Sequence, residues 1–205
     1  MNQKYEITDI THPQYPWLHR IRALQDVREN VHAGDLGGFV QSEENLSQEG
    51  LCWIFDNAIA AEEACVSGNA DLRNFSCACG SAVICGESRI HQNAMVKDRA
   101  IVTAGCIGGN AYIAGNGEVR ANCATGCVPV VSDDVSVYGE LGGNIEVHNN
   151  SVILPGNKID NPTTDAIHIY PDDIVVIRES PFLSPPLDWQ EGTYPTQKRY
   201  RGKER

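Results

Sequence analysis

A histidine and two arginines, with a nearby aspartate, are the side chains best suited to chemistry in this sequence. Arg89 and His91 are two residues apart, and Asp71 and Arg73 repeat that pattern eighteen residues earlier. An imidazole can act as a general base in an acyl transfer, while guanidinium groups hold anionic ligands. The alternative is a solvated ladder of charge pairs with one exposed histidine, because surface ion pairs are common. His148, in the segment Val-His-Asn-Asn, is a second candidate base, with a surface turn as its alternative.

These residues lie in or after a segment that repeats every six residues from residue 53 to residue 106. The second place of each hexad is aliphatic or Ala, and the sixth place is always small: Ala, Ser or Cys. Neither the 3.6-residue period of a helix nor the two-residue period of a plain strand produces such columns. The repeat therefore predicts an all-β solenoid of short parallel strands, with about six coils between Leu46 and Ile153.

The hexad register also sorts the outward side chains onto three faces. Residues directly before and after each aliphatic place point outward, and every eighteenth residue stacks on the same face. One face carries Asp71, Arg73, Arg89 and His91, which we take as the predicted ligand-binding residues. The other two faces are mainly small and apolar, a composition that a solvated monomer should avoid. We therefore expect a homo-oligomer, most simply a trimer, that buries them.

Three regions follow from these patterns. Residues 1–40 contain two alternating segments and should form a strand cap over the open first coil, whose free edge would otherwise pair with other chains. Residues 41–160 should form the solenoid. Residues 161–205 should contain further strands and a Pro-rich, basic tail.

The aliphatic and small columns resemble those of the hexapeptide-repeat superfamily, which has the left-handed parallel β-helix fold of trimeric LpxA-like proteins. The segments RIRAL at 20–24, AGDLGGFV at 33–40 and SEENLSQEGLCWIFDNA at 42–58 also resemble uncharacterised bacterial and prophage proteins of the YdcK type. The resemblance implies left-handed coiling, trimer formation and the acyltransferase label that such proteins often carry because of their fold. Acyltransferases of this fold usually have a projecting loop and a downstream Gly-x-Pro-Ala-type segment. The uninterrupted hexads leave no room for such a loop before residue 107, and the segment after residue 170 reads PDDIVVIRESP instead. The sequence departs from the acyltransferase pattern at both points.

The net charge and the cysteine content limit the functions that we expect of this protein. The formal net charge is −11, and the basic last ten residues leave −15 on the rest, so direct binding to nucleic acid or to an anionic membrane is not expected. The N-terminal sequence lacks a signal-peptide core, and we expect a cytoplasmic protein whose eight cysteines are structural. Carbonic anhydrases of the same fold use three histidines, two of them four apart, and no pair here has that spacing. The sequence therefore predicts no metal site of that kind.

Three functions remain open. The first expectation is a non-catalytic oligomeric binding protein without a cofactor, a phage or prophage accessory factor that binds a small anionic ligand or a host protein. The first alternative is an acyltransferase that uses coenzyme A, with His91 or His148 as the base. The second alternative is an acidic mimic of nucleic acid, since an acidic rod can imitate a phosphate backbone.

Overall fold

The computed structural model describes residues 3–178, which form an all-β solenoid of about seven turns. This confirms the fold class, and the coil that runs on to Ile169 accounts for the turn beyond the predicted six. The Pro-rich, basic segment predicted at the C-terminus falls mainly on residues 179–205, outside the described part. No helix within residues 3–178 is long and apolar enough to cross a membrane.

Three antiparallel strands cover the first coil: β1 (Tyr5–Thr11), β2 (His19–Ala23) and β3 (Leu36–Val40). β3 also pairs in parallel with β5 (Ile59–Ala60), so the cap continues one sheet of the solenoid. Tyr5 packs edge-on against Trp53, and its hydroxyl donates to the carbonyl of Leu46 at 2.6 Å. The cap thus satisfies backbone groups that the first coil would otherwise leave unpaired.

The remaining strands stack in parallel on three faces. The first face consists of β4 (Trp53–Ile54), β7 (Asp71–Leu72), the second halves of β9 (Val83–Ile90) and β11 (Ile101–Ile107), β14 (Val130–Val131), β17 (Ile145–Val147) and β20 (Ala166–Tyr170). The second face consists of β3, β5, β8 (Cys77–Ala78), β10 (Met95–Val96), β12 (Tyr112–Ile113), β15 (Ser136–Val137) and β18 (Val152–Ile153). The third face consists of β6 (Cys65–Val66), the first halves of β9 and β11, β13 (Glu118–Arg120), β16 (Glu140–Gly143) and β19 (Lys158–Asn161). A 3₁₀ turn, Glu43–Asn45, precedes β4, and β21 (Asp173–Ile177) pairs antiparallel with β20.

The aliphatic and small columns fill the interior as the hexads predict. Their members through Val102 are fully buried, including Ser76 and Ser88, which replace alanine in the small column. Each serine hydroxyl donates to a backbone carbonyl of the next coil, so its burial is compensated. The interior is therefore a narrow core of Ile, Val, Leu and Ala with very little polar content.

One predicted position is wrong. The hexads assign Cys106 to the small interior column, but the register shifts by one residue between Val102 and Ala104. Gly105 consequently pairs with Ser88 in the small column, and Cys106 pairs with Arg89 in an outward place on the first face. This shift moves a thiol from the core to the surface that carries the predicted site.

Candidate functional site

The outward side chains of the first face stack coil upon coil, and most of those between Asp71 and Tyr170 are polar. Residues at i and i+2 of a strand share a face, and neighbouring coils lie about 4.8 Å apart, so the outward pairs form a ladder. Its steps, in order, are Trp53 with Phe55, Asp71 with Arg73, Arg89 with His91, Cys106 with Gly108, Val130 with Ser132, Glu146 with His148, and His168 with Tyr170. Both predicted bases, His91 and His148, thus lie on one face, three coils apart.

Asp71 is the centre of the predicted anion site, and it is buried rather than solvated. Asp71 is only 4% exposed, because Arg28 from the cap lies over it. The Oδ2 atom accepts hydrogen bonds from Arg28 Nη1 at 3.1 Å and from Arg73 Nη2 at 2.9 Å. The buried Oδ1 atom has no hydrogen-bond partner among the described residues. Asp71 therefore anchors two guanidinium groups instead of contacting a ligand from a solvated surface.

The guanidinium of Arg73 is held on two sides. It lies 4.1 Å above the Phe55 ring, a cation–π contact, and its hydrogen bond to Asp71 raises the pKa of Arg73 above its ordinary value. Arg89, on the next coil, is exposed and forms no ion pair with a carboxylate of residues 3–178. Arg89 is therefore the arginine whose charge is available to a ligand.

These arginines line a cavity of about 480 Å³ on the first face. Its lining residues are Arg28, Leu51, Asn69, Asp71, Arg73, Glu87 and Arg89. Three guanidinium groups face two carboxylates, so the cavity is locally cationic on an otherwise acidic body. Such a cavity can attract a phosphate or carboxylate that the rest of the surface repels. We call it the arginine cleft.

His91 lies beside the arginine cleft and contacts a thiol. Its Nε2 atom is 3.2 Å from Cys106 Sγ on the next coil. Its ring also lies directly against Gly108, where an added Cβ would overlap ring atoms of His91. Burial raises the pKa of the Cys106 thiol, although the charge of Arg89 acts in the opposite direction. The thiol is therefore neutral near pH 7 and serves to orient the imidazole rather than to attack a substrate.

Sequence reasoning identified part of this arrangement. The structure places the predicted residues Asp71, Arg73 and Arg89 around one cavity, with His91 next to it. Sequence reasoning missed Arg28, because the hexad register says nothing about where the cap crosses the coils. It also missed Cys106, whose displaced register could have been found by aligning Gly105 with the small column.

His148 belongs to a separate cluster at the far end of the first face. Its Nε2 atom is 3.0 Å from His168 Nδ1, and Glu146 Oε2 is 3.5 Å from both nitrogens. The sequence did not predict this cluster, because Glu146 pairs with His168, which lies 22 positions later instead of eighteen. The coil between Glu146 and His168 is longer than eighteen residues, so the regular repeat does not align these two residues.

The second and third faces are less uniform than the hexads suggest. The second face presents Cys77, Cys79, Met95 and Tyr112, none of them fully exposed, and ends in the exposed Leu154. The third face is apolar only over its first coils. From β13 onward it carries ion pairs, including Lys158 with Glu140 at 2.6 Å and Arg120 with Asp160 at 3.3 Å.

Comparison with known proteins gives one informative similarity. No protein-family model matches the chain. Over 85 residues the chain is 38% identical to a protein of Escherichia coli (strain K12) named "Uncharacterized acetyltransferase YdcK", an alignment that covers 41% of this chain and 24% of that protein. This finding contradicts the expectation of a non-catalytic binding protein. The chain is thus a β-solenoid with hexapeptide-repeat character and partial homology to YdcK.

Proposed function

We propose that this protein is an acyltransferase that uses coenzyme A, with the arginine cleft as its anion-binding site and His91 as its general base. The observation that carries the proposal is the similarity to a protein named an acetyltransferase. It replaces the non-catalytic binding function expected from the sequence. Fold alone would be a weak argument, since one fold hosts many functions, so the site must supply the rest.

The arginine cleft supports the binding of a phosphorylated acyl carrier. Coenzyme A carries phosphate groups, and guanidinium groups bind phosphate through directional, charge-assisted hydrogen bonds. Arg28 and Arg73 are already paired with Asp71, which fixes their planes. Arg89 has no such partner among the described residues and supplies the charge that attracts the ligand.

His91 supports the proton transfer that acyl transfer requires. In the proposed reaction an acceptor amine or hydroxyl attacks the thioester carbonyl, its proton passes to the imidazole, and coenzyme A leaves as its thiolate. The leaving thiolate then takes the proton back. The contact between Nε2 and Cys106, together with the fit of the ring against Gly108, holds the imidazole in one orientation. No side chain of residues 3–178 hydrogen-bonds to Nδ1, which leaves that nitrogen for the acceptor.

The active form that we propose is a trimer. Apolar outward residues on the second face and on the early coils of the third face, such as Val83 and Ile101, would be buried against neighbouring copies. The first face would stay open to solvent and to substrate. This arrangement agrees with the polar character of the first face.

The test combines binding and turnover with matched variants. Calorimetry with acetyl-CoA should show binding that Arg89→Ala weakens by about 10-fold or more, the loss expected for one charge-assisted hydrogen bond. Arg99→Ala, which removes an exposed arginine outside the arginine cleft, should bind like the wild type. Release of free coenzyme A thiol with a panel of amines and sugars should fall about 100-fold in His91→Gln. Absence of any acetyl-CoA binding by the wild type would overturn the proposal.

A further inference from the structure

Three side chains of types that can bind a metal ion converge at the C-terminal end of the first face, away from the arginine cleft. Glu146 Oε2, His148 Nε2 and His168 Nδ1 form a triangle with edges of 3.5, 3.5 and 3.0 Å. The three side chains are 36%, 22% and 16% exposed, so they are partly covered but reachable from solvent. The proposed acyl transfer uses none of them.

The backbone register brings these atoms together. Glu146 and His148 are two residues apart along and just after β17, so they point to the same side. His168 lies on β20 directly beside Glu146. The ring of His148 lies nearly parallel to the rings of His168 and Tyr170, with centroids 5.3 Å and 4.9 Å away. The imidazole planes are therefore held by packing, which reduces the entropy lost when they bind a third partner.

Hydrogen bonds alone do not satisfy this triangle. A single proton can join the two histidine nitrogens at 3.0 Å, but it cannot also serve the carboxylate oxygen. That oxygen is 3.5 Å from each nitrogen, beyond the usual range of about 2.7–3.2 Å for such bonds. The carboxylate oxygen is thus left without a hydrogen bond of ordinary length to either imidazole. One cation bound to all three would satisfy them together.

The triangle has the size that a first-row metal ion requires. Zinc bonds to histidine nitrogen and carboxylate oxygen are about 2.0–2.2 Å long, which places neighbouring ligand atoms about 3.3–3.5 Å apart in a tetrahedral site and about 3.0 Å apart in an octahedral one. The observed edges span this range. Two imidazoles and one carboxylate are a donor set that suits zinc and similar ions rather than Mg²⁺ or Ca²⁺, which prefer oxygen ligands.

We propose that Glu146, His148 and His168 bind one divalent transition-metal ion of the zinc class, with at least one coordination position left for water or a ligand. Three protein ligands with an open fourth position are the arrangement of catalytic rather than structural zinc sites. The site is three coils from His91, roughly 14 Å along the solenoid, so it is separate from the arginine cleft. Metal binding is therefore independent of the proposed acyl transfer.

Titration of the chelator-treated full-length protein with Zn²⁺ tests the proposal. We expect one ion per chain bound at this site and a rise in melting temperature on binding, since a ligand that binds only the folded state stabilises it. His168→Ala should weaken the binding by about 100-fold or more, because a lost ligand costs at least as much as a lost supporting contact. Glu146→Gln preserves side-chain size, so its expected loss of affinity is separate from any packing effect.

A matched control variant and a second metal ion show whether the metal binds elsewhere on the protein. His32→Ala removes a surface histidine that also lies near a carboxylate, that of Asp35 at 3.7 Å, and should leave Zn²⁺ binding unchanged. Because the chain has eight free thiols, the Co²⁺ complex should also be examined by absorption spectroscopy. A spectrum without a sulfur-to-cobalt charge-transfer band supports the site. Such a band, or unchanged affinity in both Glu146→Gln and His168→Ala, would overturn the proposal.

Discussion

Replacing the Asp71 carboxylate by an amide should weaken the fold and strengthen anion binding at the same time. Asp71→Asn keeps the side-chain shape but removes the charge that accepts hydrogen bonds from Arg28 and Arg73. Both guanidinium groups would then lie in the arginine cleft without the carboxylate that accepts their hydrogen bonds. The two effects have opposite signs because one charge both holds the arginines and repels an anion.

The expected loss of stability can be worked out from the two contacts. Hydrogen bonds to charged groups contribute about 1.5–3 kcal/mol, against about 0.5–1.5 kcal/mol for neutral ones, so each bond should lose about 1 kcal/mol. The Arg73 side chain is 39% exposed, against 18% for Arg28, and solvent screening reduces its share. The total is about 1–2 kcal/mol. For a chain of this size that corresponds to a fall in melting temperature of about 2–8 °C.

Three measurements check the prediction. Thermal unfolding gives the stability change, and Asp9→Asn, which alters an exposed aspartate of β1, should stay within about 0.5 kcal/mol of the wild type. Hydrogen exchange should show faster opening around the Arg28–Val31 bridge, because Arg28 would no longer be tied to the second coil. Calorimetry with acetyl-CoA should show tighter binding. Wild-type stability together with wild-type affinity would refute the role assigned to Asp71.

Three further predictions concern the core, the base and the assembly. Ala82→Leu should destabilise the protein by about 1–3 kcal/mol, because the small column has no spare volume. Ile84→Ala should destabilise it by about 2–5 kcal/mol, because it leaves a cavity in the core. Urea unfolding measures both changes, and an Ala82→Leu variant as stable as the wild type would disprove the register. Gly108→Ala should displace the His91 ring and lower the rate of acyl transfer with little change in acetyl-CoA affinity, whereas an equal loss of both would place His91 in ligand binding instead. Sedimentation equilibrium should give three times the chain mass of 22.4 kDa, and a monomer at micromolar concentration would argue against the trimer.

The interior of the solenoid could be predicted from sequence because its periodicity is local. Every coil repeats the same short unit, so the identity of Ala82 or Ile84 is set by contacts with equivalent residues one coil away. The same register correctly placed Asp71, Arg73, Arg89 and His91 on one face. Their order along the strands follows from the two-residue alternation of side chains.

The parts that the sequence did not reveal are those where the repeat is interrupted or absent. Arg28 reaches Asp71 from a non-repeating cap, so its partner depends on how the cap folds over the second coil. A one-residue deletion before Ala104 turned Cys106 toward His91, and a longer coil brought His168 beside Glu146. A shift of one residue reverses the direction of every side chain that follows, and only the three-dimensional register shows where that shift occurs. The sequence by itself determined the solenoid and its polar face, whereas tertiary structure decided which of the polar groups meet.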